Sequence, residues 1–504
     1  MVLFTLFIIT IFLLLLCYYI KRIYFTLYGS IPGLPPQFLV GNLLETGVIG
    51  KNIPINLIFL DLKAKFGDIF QYWLGPTRII VVSRLEDVQY IYSHRHIYDQ
   101  GDIFIDKISL VNPYAGLCMK GASFKRHISI TSPLFRRNKI NTYLDTINDC
   151  TDKLLIRWQN SNDNSREIHL NMIEQCQQLL LSIFGYIAFD YDLQTLDDEY
   201  NSQKNELTHA LHIHLGAAIT TIQLPTIIAR IYLLNPVYRR ARATIDRYLQ
   251  EMIEQELRET PDMRAERKRT SLIASLVDSL QQDEKLEQTK SEEDKKGLSR
   301  VEVIGEMLSL LSAGYSTTST SVVWFIFFMS KSCNVQKKLK KEISQYDHQR
   351  LTIEQLDSLV YLDCIIRELF RFIPPIVGTV RTLINDDQLP STGVHLNKGD
   401  QIFIPFYNLS RDQRYCPGLM DPNQFHPERF LNTTNDNKID SITFGGGHRQ
   451  CIGQDFARIE LKAICVRLMQ HVTFGDGGEK VNAGGYKQTD TILPKHIGVT
   501  ITFD

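Results

Sequence analysis

Phe444-Gly-Gly-Gly-His-Arg-Gln-Cys451-Ile-Gly453 is the stretch from which the rest of this 504-residue chain can be read. A single cysteine closes a glycine-rich loop. An apolar run with helical character follows, from Gln454 to about Met469. Glycines at 445, 446 and 447 free the backbone for conformations that a side chain forbids. They also leave room for something large and flat against the loop. A helix starting just past Cys451 points unpaired N–H groups and the positive end of its dipole at the sulfur, which favours thiolate. This suits a metal ligand better than a disulfide. Taken alone, the loop also reads as a buried, inert cysteine after a turn.

The stretch resembles the haem-binding loop of the cytochrome P450 family: Phe, two residues, Gly, three residues, Cys, one residue, Gly. Phe444, Gly447, Cys451 and Gly453 fill those places, with Arg449 at the basic position. The resemblance implies haem b (iron protoporphyrin IX) with Cys451 as its axial ligand. A thiolate ligand pushes electron density toward bound oxygen and favours O–O cleavage. It also implies a mainly α fold with small β-sheets (α+β), carrying a single N-terminal transmembrane helix.

The bulk properties agree with a large catalytic body. The chain is 44% hydrophobic and 22% charged, ample for a core, and its net charge of −1 gives no reason to expect nucleic acid. Nine cysteines are scattered with no CxxC pair, so neither a disulfide framework nor a zinc ribbon is expected, and a reducing, cytosol-facing compartment fits.

Val2 to Ile20 is uncharged and apolar, broken only by Thr5 and Thr10. About 20 residues of helix span a bilayer core. Lys21 and Arg22 follow, which places the rest of the chain on the cytoplasmic side. A cleaved signal peptide would need a basic start and small residues at the cleavage site, and the sequence has neither. Ser30-Ile-Pro-Gly-Leu-Pro-Pro36 cannot be helix and reads as a stiff connector, as in microsomal members of the family. The expected organisation is an anchor with its basic flank over 1–22, a linker with a proline-rich hinge over 23–40, and a catalytic domain over 41–504.

Residues 66 to 83 read as a β-hairpin turning at Gly75-Pro76. Residues 140 to 280 are mostly helical in pattern. His209, His212 and His214 cluster there, but without a fourth ligand they read as ordinary helix histidines. Gln281 to Gly297 is a charged tract expected to be a solvated loop.

Ser299 and Glu302 form a capping box, and the helix they start should run without proline to about Ser332 through the core. Inside it, Ala313-Gly-Tyr-Ser-Thr-Thr318 resembles the family's oxygen-activation stretch. Gly314 is expected to open space beside the helix, and Thr317 to offer its hydroxyl to a carbonyl or to water. The resemblance makes Thr317 and Ser316 the proton-delivery pair, with Ser316 standing where the family has an acid. A serine relays a proton through water but is not itself an acid at neutral pH.

Glu368-Leu-Phe-Arg371 places two charges on one helix face, and Pro374-Pro375 stops the helix. It looks like the family's Glu-x-x-Arg helix, with Arg429 in Phe425-His-Pro-Glu-Arg-Phe430 at the partner position. These three are expected to hold the core beneath the haem. Gly121 to Ile128 resembles the helix that carries a tryptophan and an arginine near the haem propionates, but here Phe124 and Ile128 fill those places. Arg381 and Arg449 stand at the other propionate positions, with Arg126 and His127 as further candidates. Lys120, Lys125, Arg126, Arg136 and Arg137 make this region basic, which suits an acidic electron donor or simply a solvated face.

The resemblance implies a monooxygenase in the endoplasmic reticulum membrane. It would act on a lipophilic small molecule, take electrons from NADPH-cytochrome P450 reductase, and use cytochrome b5 as an optional second donor. Ile376-Val377 are candidates to face the substrate. Two other readings stand beside it: a haem-thiolate isomerase or dehydratase of lipid peroxides, and a non-catalytic membrane haem protein that binds a small ligand.

Overall fold

The computed structural model describes residues 2–161, 167–196, 206–260, 271–418, 420–431, 442–489 and 491–504. Its central element is the helix Arg300–Lys331, 32 residues long. The expected capping box starts it: Ser299 N donates to Glu302 Oε2 at 2.8 Å, and Glu302 N to Ser299 Oγ at 3.4 Å. Val303, Met307, Leu308, Leu311, Val322, Phe325 and Met329 are fully buried, which satisfies the apolar run on nearly every side.

The helix Met172–Phe189 packs against this core helix. They pack tightly at Gly314, where an added Cβ would lie 2.2 Å from the Phe184 ring. Phe184 therefore fills the space that Gly314 was expected to leave open, and the glycine serves helix packing. On another side the core helix meets the helix Gln454–His471, which carries the chain away from Cys451. Two bonds tie it to the C-terminal segment: Trp324 Nε1 donates to Ile492 O at 2.6 Å, and the Thr320 and Thr491 hydroxyls lie 2.7 Å apart.

A five-stranded sheet flanks the helices, in the order Ile69–Leu74, Thr77–Val82, Gln401–Pro405, Gly378–Leu383, Tyr98–Gln100. The first two strands are the expected hairpin, with Ile69 opposite Val82. The last pairing sets Gln100 opposite Arg381 and Asp99 opposite Thr382, in adjacent pairs at the sheet edge. Ile376 and Val377, expected at the substrate, pack at the edges of apolar clusters beside this sheet.

The proline-rich connector is not helical and is stitched to the sheet. Gln71 N donates to Pro32 O at 2.8 Å, and the Gln71 side chain bonds Tyr28 and Ile31. Before it, the helix Val2–Tyr24 exposes its apolar side chains along its length. Its span Leu3–Tyr24 is the one helix among the described residues long and apolar enough to cross a bilayer.

Two further expectations meet the structure here. The charged tract is not all loop: Glu284–Gln288 is a short helix, started by Asp283 Oδ1 accepting from Leu286 N at 3.0 Å. The local cap outweighs the tract's low hydrophobicity. Among the histidines, His214 is buried and stacked on Tyr238, and burial pushes its pKa down to about 3. His212 meets Tyr315 edge-on. Among the described residues no group of three or more His, Cys, Asp or Glu side chains is arranged to hold a metal ion.

Candidate active site

The Cys451 loop is shaped by its neighbours. An added Cβ on Gly446 would lie 2.3 Å from the Tyr92 ring, and one on Gly447 2.0 Å from the Tyr92 carbonyl oxygen. Gly447 also holds φ at 68°, a region that favours glycine. These two glycines let the loop pass close to the helix Leu85–Ser93. Cys451 N donates to Phe444 O at 2.9 Å, which closes the turn. Phe444 meets Phe370 edge-on with centroids 5.2 Å apart, and Arg458 lies 5.1 Å from the Phe444 ring. The loop is thereby tied to the helix that carries Glu368.

Cys451 is accessible to solvent. Burial raises its thiol pKa, and the Gly453 N–H pulls only partly the other way. A coordinating metal deprotonates a thiol outright.

Arg381 and Arg449 come together beside this loop. Arg381 is 2% exposed, and Nη1 donates to Thr379 Oγ1 at 2.8 Å and Val380 O at 2.9 Å. Its Nη2 is buried with no hydrogen-bond partner among the described residues. Burial lowers its pKa. A buried guanidinium N–H without an acceptor is costly, so the position fits an anionic group. Arg449 donates through Nε to Asp99 Oδ1 at 2.8 Å and through Nη2 to Met119 O at 2.9 Å. Its guanidinium stacks on Phe124, and His448 Nε2 lies 3.1 Å from Asp99 Oδ1. Burial would push the Asp99 carboxyl up. The His448 hydrogen bond and the Arg449 charge outweigh it and hold the group well below the usual carboxylate range. Haem, with two carboxylates on a flat ring, fits this donor set: an accessible cysteine and a buried arginine N–H that lacks an acceptor among the described residues.

Arg126 is placed elsewhere. Nη1 and Nη2 donate to Glu302 at 2.9 and 2.7 Å, and Nη1 also to Gly297 O at 2.8 Å. Two carboxylates, Glu302 and Glu292, draw it toward the start of the core helix. His127 lies between Glu302 and Glu306, at 3.3 and 2.5 Å. Burial opposes its charge, but the hydrogen bonds to both carboxylates prevail and raise its pKa.

In the middle of the core helix, Ala313 is exposed and Leu310 and Thr317 are half-buried, an accessible stripe at helical spacing. Thr317 Oγ1 donates to Ala313 O at 2.8 Å. Ser316 lies off that stripe and is buried, and its carbonyl accepts from Ser319 and Thr320. Behind this segment Glu460, 1% exposed on the Cys451 helix, hydrogen-bonds Thr318. Burial pushes its carboxyl up to about 8.

Glu368, Arg371 and Arg429 form one buried unit. Glu368 is 0% exposed. It accepts from Arg371 Nε at 2.7 Å and Nη2 at 2.9 Å, from Arg429 Nε at 3.0 Å, and from His426 N at 2.7 Å. The remaining guanidinium N–H groups reach the carbonyls of Ser410, Pro422, Asp421 and Gln424. The ion pairs thus pin an irregular loop to the helix Val360–Phe372.

Asp99, Tyr92 and Glu460 were not singled out from the sequence. Asp99 and Tyr92 meet their partners across hundreds of residues, and nothing local marks them. Glu460 could have been found as a carboxylate between Ile459 and Leu461 on an apolar helix.

A family model described as cytochrome P450 matches residues 31–483. The chain is 25% identical over 486 residues to cytochrome P450 monooxygenase 205 of Postia placenta, covering 88% of this chain and 86% of that protein. It is 24% identical over 497 residues to cytochrome P450 4V2 of Mus musculus, covering 94% and 89%. Over a shorter 223 residues it is 33% identical to cytochrome P450 3A12 of Canis lupus familiaris, covering 42% and 43%. The chain belongs to the cytochrome P450 family. It is an oxidoreductase, a haem-thiolate monooxygenase whose cofactor is haem b.

Proposed function

We propose that this chain inserts one oxygen atom of dioxygen into a lipophilic substrate at a membrane surface. Its electrons come from NADPH-cytochrome P450 reductase, with cytochrome b5 as an optional second donor. Residues 1–22 anchor it in the endoplasmic reticulum membrane by a single pass. Residues 23–40 link the anchor to the catalytic domain over 41–504, which faces the cytosol. The exposed apolar helix Leu3–Tyr24 supports the anchor. A second apolar surface supports contact with lipid: Ile227, Ile228, Ile231 and Leu234 are exposed on and just after the helix Thr226–Tyr232, Ile227 to 76%.

The observation that carries the reaction is the accessible step from Ala313 to Thr317 in a largely buried helix. Bound haem supplies dioxygen binding and O–O cleavage, while protein side chains supply orientation and protons. Cys451 would hold the cofactor, and the unpartnered Arg381 Nη2 would take one of its carboxylates, with Arg449, already bonded to Asp99, adding positive charge nearby. Thr317 holds a proton on Oγ1, donated at rest to Ala313 O. Threonine in a helix has two favoured rotamers, so the hydroxyl can turn from that carbonyl to a water and pass the proton on. Ser316 lies beside this path and can take part only through its hydroxyl or through water.

Labelled dioxygen tests the reading. With NADPH and reductase, product should gain one labelled atom, and T317V should yield less product per NADPH consumed. Turnover of a lipid hydroperoxide without NADPH, and without label uptake, would make the chain an isomerase or dehydratase. A thiolate-type carbon monoxide spectrum with no turnover of any lipid would make it a binding protein. C451S should abolish that spectrum.

A further inference from the structure

Among the described residues, two buried polar atoms beside the Cys451 loop lack hydrogen-bond partners, and they come from separate elements. One is the Tyr92 hydroxyl, near the end of the helix Leu85–Ser93. The other is Nη2 of Arg381, on the strand Gly378–Leu383. The Arg381 Cζ lies 5.5 Å from the Tyr92 ring centroid, so the two side chains share one site. Tyr92 is held there firmly, since its ring and carbonyl fill the space that side chains on Gly446 and Gly447 would need.

A buried O–H and a buried guanidinium N–H each cost free energy while unpaired. Both are donors, and Nη2 makes no hydrogen bond to the phenol oxygen. Two donors around one point call for an acceptor with two lone-pair-bearing oxygens, and the guanidinium calls for negative charge. A carboxylate meets both demands. The neighbouring arginine is already committed, since Asp99 takes Nε and Nη2 of Arg449. Phe124 and Ile128 offer no side-chain donor on the adjacent helix Gly121–Thr131. The site therefore has a shortage of donors on one side and an unused phenol on the other.

We propose that the Tyr92 O–H and Arg381 Nη2 together bind one propionate carboxylate of the haem, with Tyr92 as a positioning residue for the cofactor. This rests on haem being held by Cys451. Tyr92 supplies from the Leu85–Ser93 helix a donor that Phe124 and Ile128 do not. The phenol also seats the ring of the cofactor relative to the Cys451 loop, because the same residue packs on Gly446 and Gly447.

The test uses the full-length holoprotein and its Y92F variant, which loses one oxygen and keeps the ring packed on the glycines. Haem transfer to excess apomyoglobin is timed for both. A charge-assisted hydrogen bond to a propionate makes Y92F lose haem roughly tenfold or more faster. Both proteins are then loaded with an iron porphyrin bearing ethyl groups in place of the propionates, and the difference between them should vanish. Equal loss rates with ordinary haem overturn the proposal. So does a ratio that persists without propionates, which would give Tyr92 a packing role only. Retention of the thiolate-type carbon monoxide spectrum in C451S would instead overturn the ligand assignment, and is read independently.

Discussion

The Arg449 guanidinium lies flat over the Phe124 ring, with its Cζ 3.5 Å from the centroid. Two residues more than three hundred positions apart thus join the Cys451 loop to the helix Gly121–Thr131. An aromatic face is what the guanidinium needs here, and phenylalanine provides it without an N–H. F124L keeps the apolar bulk and removes the face. It should cost about 1 kcal/mol, the scale of a partly desolvated cation–π contact. F124W should cost nothing. Thermal midpoints of the two holoproteins check this, and equal midpoints would mean the ring face contributes nothing.

Removing the Glu368 charge should be far more damaging. E368Q keeps the shape but leaves Arg371 and Arg429, both buried, facing a neutral group. Breaking a buried ion pair costs roughly 3–5 kcal/mol. The loop that supplies Ser410, Pro422 and Gln424 carbonyls would then loosen. The expected result is loss of haem incorporation during expression, read as the ratio of haem absorbance to protein. Full incorporation in E368Q would show that backbone contacts alone hold the loop.

Much of this was legible in the sequence wherever the signal is local. The capping box at Ser299 and Glu302, the Glu368–Arg371 spacing and the hairpin at Gly75 depend on residues a few positions apart. Each appears in the structure where its spacing puts it. What the sequence hid is contact at a distance. The glycines at 314, 446 and 447 look like open space in one dimension. In three they are where Phe184 and Tyr92 press against the chain. Asp99 looks like any strand carboxylate until the Cys451 loop brings Arg449 against it. Arg126 looked like a propionate donor because it lies near one in sequence, but Glu302 is closer in space.

Gly314 shows two effects in competition. Alanine in a helix gains about 1 kcal/mol over glycine. Against that, its Cβ would lie 2.2 Å from the Phe184 ring, which is 3% exposed and cannot swing aside. Overpacking of a core costs about 1–3 kcal/mol, so the clash should win. G314A is expected to lower the thermal midpoint, and adding F184L should recover part of the loss. A higher midpoint in G314A would mean the two helices can separate at no cost.

Glu460 should make stability depend on pH in a direction unusual for an acid. Its folded carboxyl titrates at about 8 because it is buried, against an ordinary value of 4.5. Below the ordinary value both folded and unfolded chains hold the proton, and the group adds no cost. As pH rises from there toward 8, the unfolded chain releases the proton while the folded one keeps it. Folding then weakens by up to about 1.4 kcal/mol per pH unit, and the loss levels off once the folded group also ionises. E460Q keeps a hydrogen-bonding side chain for Thr318 and has no proton to lose. Its thermal midpoint should match that of the unsubstituted protein near pH 5 and exceed it increasingly toward pH 8. Melts at several pH values compare the two directly. A constant gap across the range would mean that Glu460 ionises inside the fold as readily as outside it.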